Sequence, residues 1–144
     1  MSNIIFLDID GVLLPFGAYK WDLNKVFGKP YNYLERMVKR TVGVEALRTL
    51  AQERGAKFVL ISTWRYLFED EFLLAYLKGI GLGDLLHTQW LAVKYGATSR
   101  PKGLDIQDWL LANDFKGDWW IIDDEDHGVP EGHWIQTDAY RGYQ

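Results

Sequence analysis

The residues able to do chemistry in this chain fall into four groups: Asp8-x-Asp10-Gly11, the hydroxyl pair Ser62-Thr63, Lys102, and the acidic pair Asp123-Asp124. Carboxylates gathered in one place repel. Two unit charges ~4 Å apart cost about 4 kcal/mol at an effective dielectric of about 20. A cation must offset that. An all-oxygen donor set suits Mg²⁺, which usually takes one or two carboxylates and completes its shell with waters and substrate phosphate. Lys102 can hold a second anion, and the Ser62 or Thr63 hydroxyl can donate to a phosphate oxygen. Gly11 allows a tight turn behind the first acids. Arg65, directly after the hydroxyl pair, and Arg100 are further candidates for contact with a phosphate or substrate.

These groups matter only if the chain brings them together, and its patterning suggests how. Ile4–Ile9 (IIFLDI) is a short apolar run rich in β-branched residues, ending at Asp8, Asp10 and Gly11; it reads as a buried strand meeting a turn. Lys57–Ile61 (KFVLI) is a second such strand, ending at Ser62. Leu85–Trp90 is a candidate third, Asp118–Ile122 (DWWII) a fourth ending at Asp123, and His133–Gln136 a fifth. Helical signals occupy Tyr33–Arg54, interrupted at Gly43 and closed by Gly55 at a C-cap position. A further helix is predicted over Tyr66–Lys78. Another spans Lys102–Asn113, with Leu104, Ile106, Trp109 and Leu110 expected to face inward. Apolar strands alternating with helices indicate an α/β fold, a parallel sheet covered on both faces. In such sheets ligands bind beyond the carboxyl ends of the strands, where all four groups would meet.

Composition agrees with one compact unit. The chain has 144 residues, a net charge of −4 and no cysteine. That length suits a single domain over 1–144 with a sizeable core. The absence of cysteine rules out disulfides and thiolate metal sites and makes a cytoplasmic setting the default expectation. No apolar run reaches the length of a membrane span, so none is expected, and the first residues lack a basic leader pattern. Mild acidity makes duplex DNA an unlikely partner, unless Lys20, Lys25, Lys29, Lys39 and Arg40 cluster. Seven Trp, eight Tyr and seven Phe point chiefly to a core of large rings.

The ordered set resembles motifs of the haloacid-dehalogenase-like (HAD) phosphohydrolases. DIDGVL at Asp8–Leu13 looks like their first motif, followed in order by Ser62-Thr63, Lys102 and the Asp123-Asp124 pair of IIDDED. STWR, the PKGLDIQDWL stretch, IIDDED and a late QTD are similar to small HAD domains of Swiss Army knife RNA repair proteins; IIDDED also looks like that of the 5′(3′)-deoxyribonucleotidases. The resemblance implies a HAD-like Rossmannoid sheet and an Mg²⁺-dependent phosphomonoester hydrolase. Asp8 would be the nucleophile forming an aspartyl-phosphate, and Asp10 the general acid and base. Asp8, the Asp10 carbonyl and Asp123 would hold the metal, with Asp124 a weaker or outer ligand. Ser62, with Thr63 as substitute, would supply the second-motif hydroxyl, and Lys102 would neutralise nucleophile and phosphate.

Simpler readings stand beside these. Asp10-Gly11 is also a turn signal, Ser62-Thr63 a helix cap, Lys102 a solvated lysine, and residues 123–126 an acidic turn. His127 and His133 have no partner at zinc spacing and read as structural or surface residues. Trp64 could stack a ring but reads first as core; Tyr19 and Trp21 lie in a flap that could meet substrate. The stretch 14–42 reads as a flap or small cap insertion, and neither it nor residues 66–101 has room for a full cap domain. A minimal-cap, open site fits a phosphorylated small molecule, a nucleic-acid end or protein, or a cap supplied by another chain. Two rival functions remain: a non-catalytic phosphate- or metal-binding module, and a phosphotransferase.

Overall fold

The computed structural model describes residues 2–15, 28–93, 101–138 and 141–144. Five strands, β1 (Asn3–Leu7), β2 (Ala56–Leu60), β3 (Leu86–Leu91), β4 (Trp119–Asp123) and β5 (Trp134–Gln136), form one sheet in the order β3-β2-β1-β4-β5. Every pairing is parallel. Among the described residues four α-helices connect them: α1 (Leu34–Arg40), α2 (Val44–Arg54), α3 (Asp70–Gly79) and α4 (Lys102–Ala112).

The central strand explains why its sequence runs apolar without alternation. Ile4, Ile5, Phe6 and Leu7 are all buried because both faces of β1 are covered. Ile5 and Leu7 face one core with Met37 of α1, Leu47 and Ala51 of α2, and Leu73, Tyr76 and Leu77 of α3. Ile4 and Phe6 face the other, where Ile106 and Trp109 of α4 lie against Val59 and Ile121. Phe6 meets the edges of Trp109 and Trp119 at 5.5 and 6.0 Å. Among the described residues, α1, α2 and α3 thus cover one face and α4 the other. The fold is the α/β parallel sheet that the strand pattern predicts.

Two helices depart from their predicted form. The stretch 66–78 is not one helix. A short 3₁₀ turn at Thr63–Tyr66 is capped by Ser62, whose Oγ accepts from the Trp64 backbone N–H at 3.1 Å. The chain then leaves the turn, and α3 begins only at Asp70, with Asp70 and Glu71 in its first turn. In α4, Leu104 is 46% exposed, whereas Asp105 is buried. The inward stripe is Lys102, Asp105, Ile106 and Trp109, an i, i+3, i+4, i+7 pattern in which two of the positions are charged and partnered. Apolar periodicity alone therefore turned the helix too far.

The predicted boundary at Gly55 is present: it ends α2 at φ +58, its N–H bonded to the Ala51 and Gln52 carbonyls. Within the insertion predicted over 14–42, α1 sits on the sheet with Met37 in the core. Tyr19, Lys20, Trp21, Lys25 and Arg100 lie outside the described residues. The Lys39 ammonium is matched by Glu35 at 2.9 Å on the surface. Among the described residues, no helix is long and apolar enough to cross a membrane.

Candidate metal and phosphate site

Strand register places the acids. Leu7 pairs with Ile122 on one side and with Leu60 on the other. The next residues of β1 and β4, Asp8 and Asp123, therefore emerge side by side at the carboxyl edge. The chain order reverses there, with β2 and β3 on one side of β1 and β4 and β5 on the other, the position where open parallel sheets bind ligands. Carboxylate oxygens of Asp8, Asp123 and Asp124 come within 4.8 Å of one another. Lys102, the first residue of α4, reaches into the same place. Its Nζ lies 2.7 Å from Asp123 Oδ2 and 3.1 Å from Asp8 Oδ2, and it is largely buried.

Three carboxyls face one ammonium, an excess of acid that burial makes costly. Burial, helped by the charge of Asp123 and opposed by Lys102, pushes Asp8 from the ordinary aspartate value of 3.8 up to about 6. Asp124 rises to about 7, through burial and then through its hydrogen bond to Asp123 and that residue's charge. Asp123 goes the other way: burial would raise it, but a hydrogen bond from His127 and the Lys102 charge hold it well below the carboxylate range. Lys102 is raised, the charges of Asp8 and Asp123 outweighing the burial that opposes them. The cluster thus retains protons where a divalent cation would serve. With hard oxygen donors and surplus negative charge, Asp8, Asp123 and Asp124 fit Mg²⁺.

Around this core the remaining predicted residues separate. Gly11 adopts φ +77, and a Cβ there would sit 2.8 Å from Asp124 Cγ. Only glycine gives both the left-handed turn and the close approach of that carboxyl. The Asp10 side chain accepts from the Trp64 indole, Nε1 to Oδ2 at 3.0 Å. Ser62 is fully buried and occupied as the cap of its turn, while Thr63 beside it is partly exposed.

Arg65 corrects its prediction as a substrate contact. It is 1% exposed, with Nη2 on Asp105 Oδ2 at 2.9 Å. Its Nε donates to the Ser62 carbonyl, and Nη1 to the carbonyls of Ala92 and Val93. Its fork is spent holding the ends of β2 and β3 against α4.

Three residues beside the cluster make contacts that the sequence did not suggest. His127, read there as structural or surface, places Nε2 2.8 Å from Asp123 Oδ2. The signal was present as a carboxylate four positions upstream, but zinc spacing was the wrong template. Thr137 donates from Oγ1 to the Gly11 carbonyl at 2.9 Å, while its backbone N–H donates to the Asp123 carbonyl at 3.1 Å. It thereby ties the first and fourth groups together; it lies in the QTD segment noted only as a resemblance. Trp64 was weighed for stacking, not as a donor to Asp10. His133 is structural as expected, bonded to the Trp119 carbonyl at 2.6 Å.

A family model described as the HAD domain in Swiss Army Knife RNA repair proteins matches residues 4–144. No curated protein and no solved structure matches the chain.

Proposed function

The chain belongs to the family of HAD domains in Swiss Army Knife RNA repair proteins, and on that premise we propose that it is an Mg²⁺-dependent hydrolase of phosphomonoesters, acting on nucleic-acid ends or nucleotides. The observation that carries this reading is the meeting of Asp8, Asp123 and Lys102, residues far apart in the chain, within salt-bridge distance at the carboxyl edge of the sheet.

When bound, Mg²⁺ would neutralise the carboxylates and polarise the phosphoryl oxygens. The Asp8 carboxylate attacks phosphorus; the bond to the ester oxygen breaks, and Asp10 gives its proton to that oxygen. Asp10, now ionised, takes a proton from water, which attacks the aspartyl-phosphate, releasing inorganic phosphate and restoring Asp8. Lys102 holds the nucleophile in place and offsets charge building on the transferred group. The Thr63 hydroxyl, at the start of the 63–66 turn after β2, would donate to that group.

The purified protein should hydrolyse an aryl phosphate and phosphorylated nucleotides with Mg²⁺, and lose turnover on chelation. Asp8→Asn should reduce turnover to background while retaining the circular dichroism of the wild type. Undiminished turnover in Asp8→Asn would remove Asp8 as the nucleophile. Saturable Mg²⁺ binding without hydrolysis of any ester would replace the enzyme reading with a binding module.

A further inference from the structure

Past the 63–66 turn the structure holds a cavity of about 420 Å³ walled in part by Tyr31, Leu67, Phe68, Glu69 and Phe72. Its walls come from the 3₁₀ turn before α1 (Pro30–Asn32) and from the link between the 63–66 turn and α3. The latter leaves the carboxyl end of β2, so the cavity opens at the same edge of the sheet as Asp8 and Asp10. A run of ring contacts joins the two places. Trp64, whose N–H holds Asp10, lies 5.1 Å from Phe68; Phe68 stacks on Phe72 at 4.7 Å; and Tyr31 meets the edge of Phe72 at 5.4 Å. Tyr31 and Leu67 are 57% and 48% exposed, an unusual display for large apolar side chains in neighbouring positions.

The chemistry of the walls selects the occupant. Among the described walls the one charge is Glu69, which repels a phosphate and disfavours a second anion there. Aromatic and aliphatic walls with one carboxylate acceptor suit a flat, uncharged, hydrogen-bonding ring. Phe68 is one ring contact away from the Trp64 that donates to Asp10, the group assigned to the leaving oxygen. We infer that the cavity takes the base of the phosphorylated nucleotide, whether free or at the end of a strand. This deepens the proposed function and rests on it.

The test compares kcat/KM for nucleoside 5′- and 3′-monophosphates and short 5′- and 3′-phosphorylated oligonucleotides with that for ribose 5-phosphate, which lacks a base. Stacking of one base on aromatic walls should give the base-bearing esters roughly a tenfold advantage. Tyr31→Ala should collapse that ratio toward one through KM, whereas Leu111→Ala, on the exposed side of α4, should preserve it. Oligonucleotides outrunning mononucleotides would identify a strand end as the source, and the reverse a free nucleotide. In parallel, calorimetry with Asp8→Asn should show adenosine monophosphate binding more tightly than ribose 5-phosphate, a difference lost on adding Tyr31→Ala. Turnover with a ratio near one overturns the cavity assignment alone. Base-selective binding without turnover on any ester overturns the hydrolase reading alone. A wild-type dimer that Tyr31→Ala converts to monomer in sedimentation, without base selectivity, would make the cavity an interface between copies and overturn the inference.

Discussion

Trp64 shows how one side chain serves packing and chemistry together. Its ring lies against Phe68 and Tyr76, and it is almost wholly buried, while its indole N–H ends on Asp10 Oδ2. Trp64→Phe keeps most of the ring contacts and removes that donor. If the hydrogen bond aims Asp10 at the leaving oxygen, the loss should depend on the leaving group. General acid catalysis is worth ~10²–10⁴-fold, and poor leaving groups depend on it most. kcat/KM should therefore fall about tenfold or more further for an alkyl phosphate than for a nitrophenyl phosphate; equal falls would make Trp64 a packing residue only. The contrast between Asp8 and Trp64 also shows what a sequence exposes. Asp8, Asp10 and Asp123 declare themselves because charged residues directly after apolar strands need a purpose. The partnerships of Trp64 with Asp10, 54 positions apart, and of Thr137 with Gly11, 126 apart, leave no local trace.

Arg65 and Asp105 join elements, not substrate. The pair is fully buried and binds the turn after β2 to α4, and the same guanidinium reaches the chain leaving β3. Removing one partner of such a pair strands a buried charge, a loss of about 3–5 kcal/mol. Asp105→Ala should therefore lower the urea midpoint sharply, and because Arg65 also holds the Ser62 carbonyl, it should lower turnover at permissive temperature as well. The double variant Arg65→Met/Asp105→Leu should recover most of the stability; no recovery would mean that the pair does more than satisfy itself. At this scale the strands were legible because β-branched apolar runs ended in polar residues, and all five lie where those runs predict. The helix at 66–78 was misjudged because a serine cap and an apolar sequence do not distinguish a short turn from a longer helix. The facing of α4 was misjudged because an inward aspartate reads as outward until its arginine is known.

For the molecule as a whole the acid cluster ties stability to pH. Asp8 and Asp124 titrate near pH 6 and 7 in the folded chain, above the ordinary 3.8. Each contributes stability fully below about pH 4 and loses it as pH rises through 6 and 7. Asp123, shifted downward, contributes in full above about pH 4, so its contribution is constant between pH 5 and 8. Through these groups the metal-free protein should melt at a lower temperature at pH 8 than at pH 5. Millimolar Mg²⁺ should raise the melting temperature more at pH 8, where it displaces fewer protons. Scanning calorimetry at both pH values checks this, and equal Mg²⁺ gains would show that these acids are not its ligands.

The pairing of β1 with β4 carries a consequence for synthesis. Asp8 is synthesised before its partners at 102 and 123. Until residue 123 has been translated, Asp8 lacks both the ammonium and the second carboxylate that surround it in the folded chain. On the proposed reading a nascent polypeptide is therefore inert toward phosphate esters, and competence arrives only when the fourth strand docks.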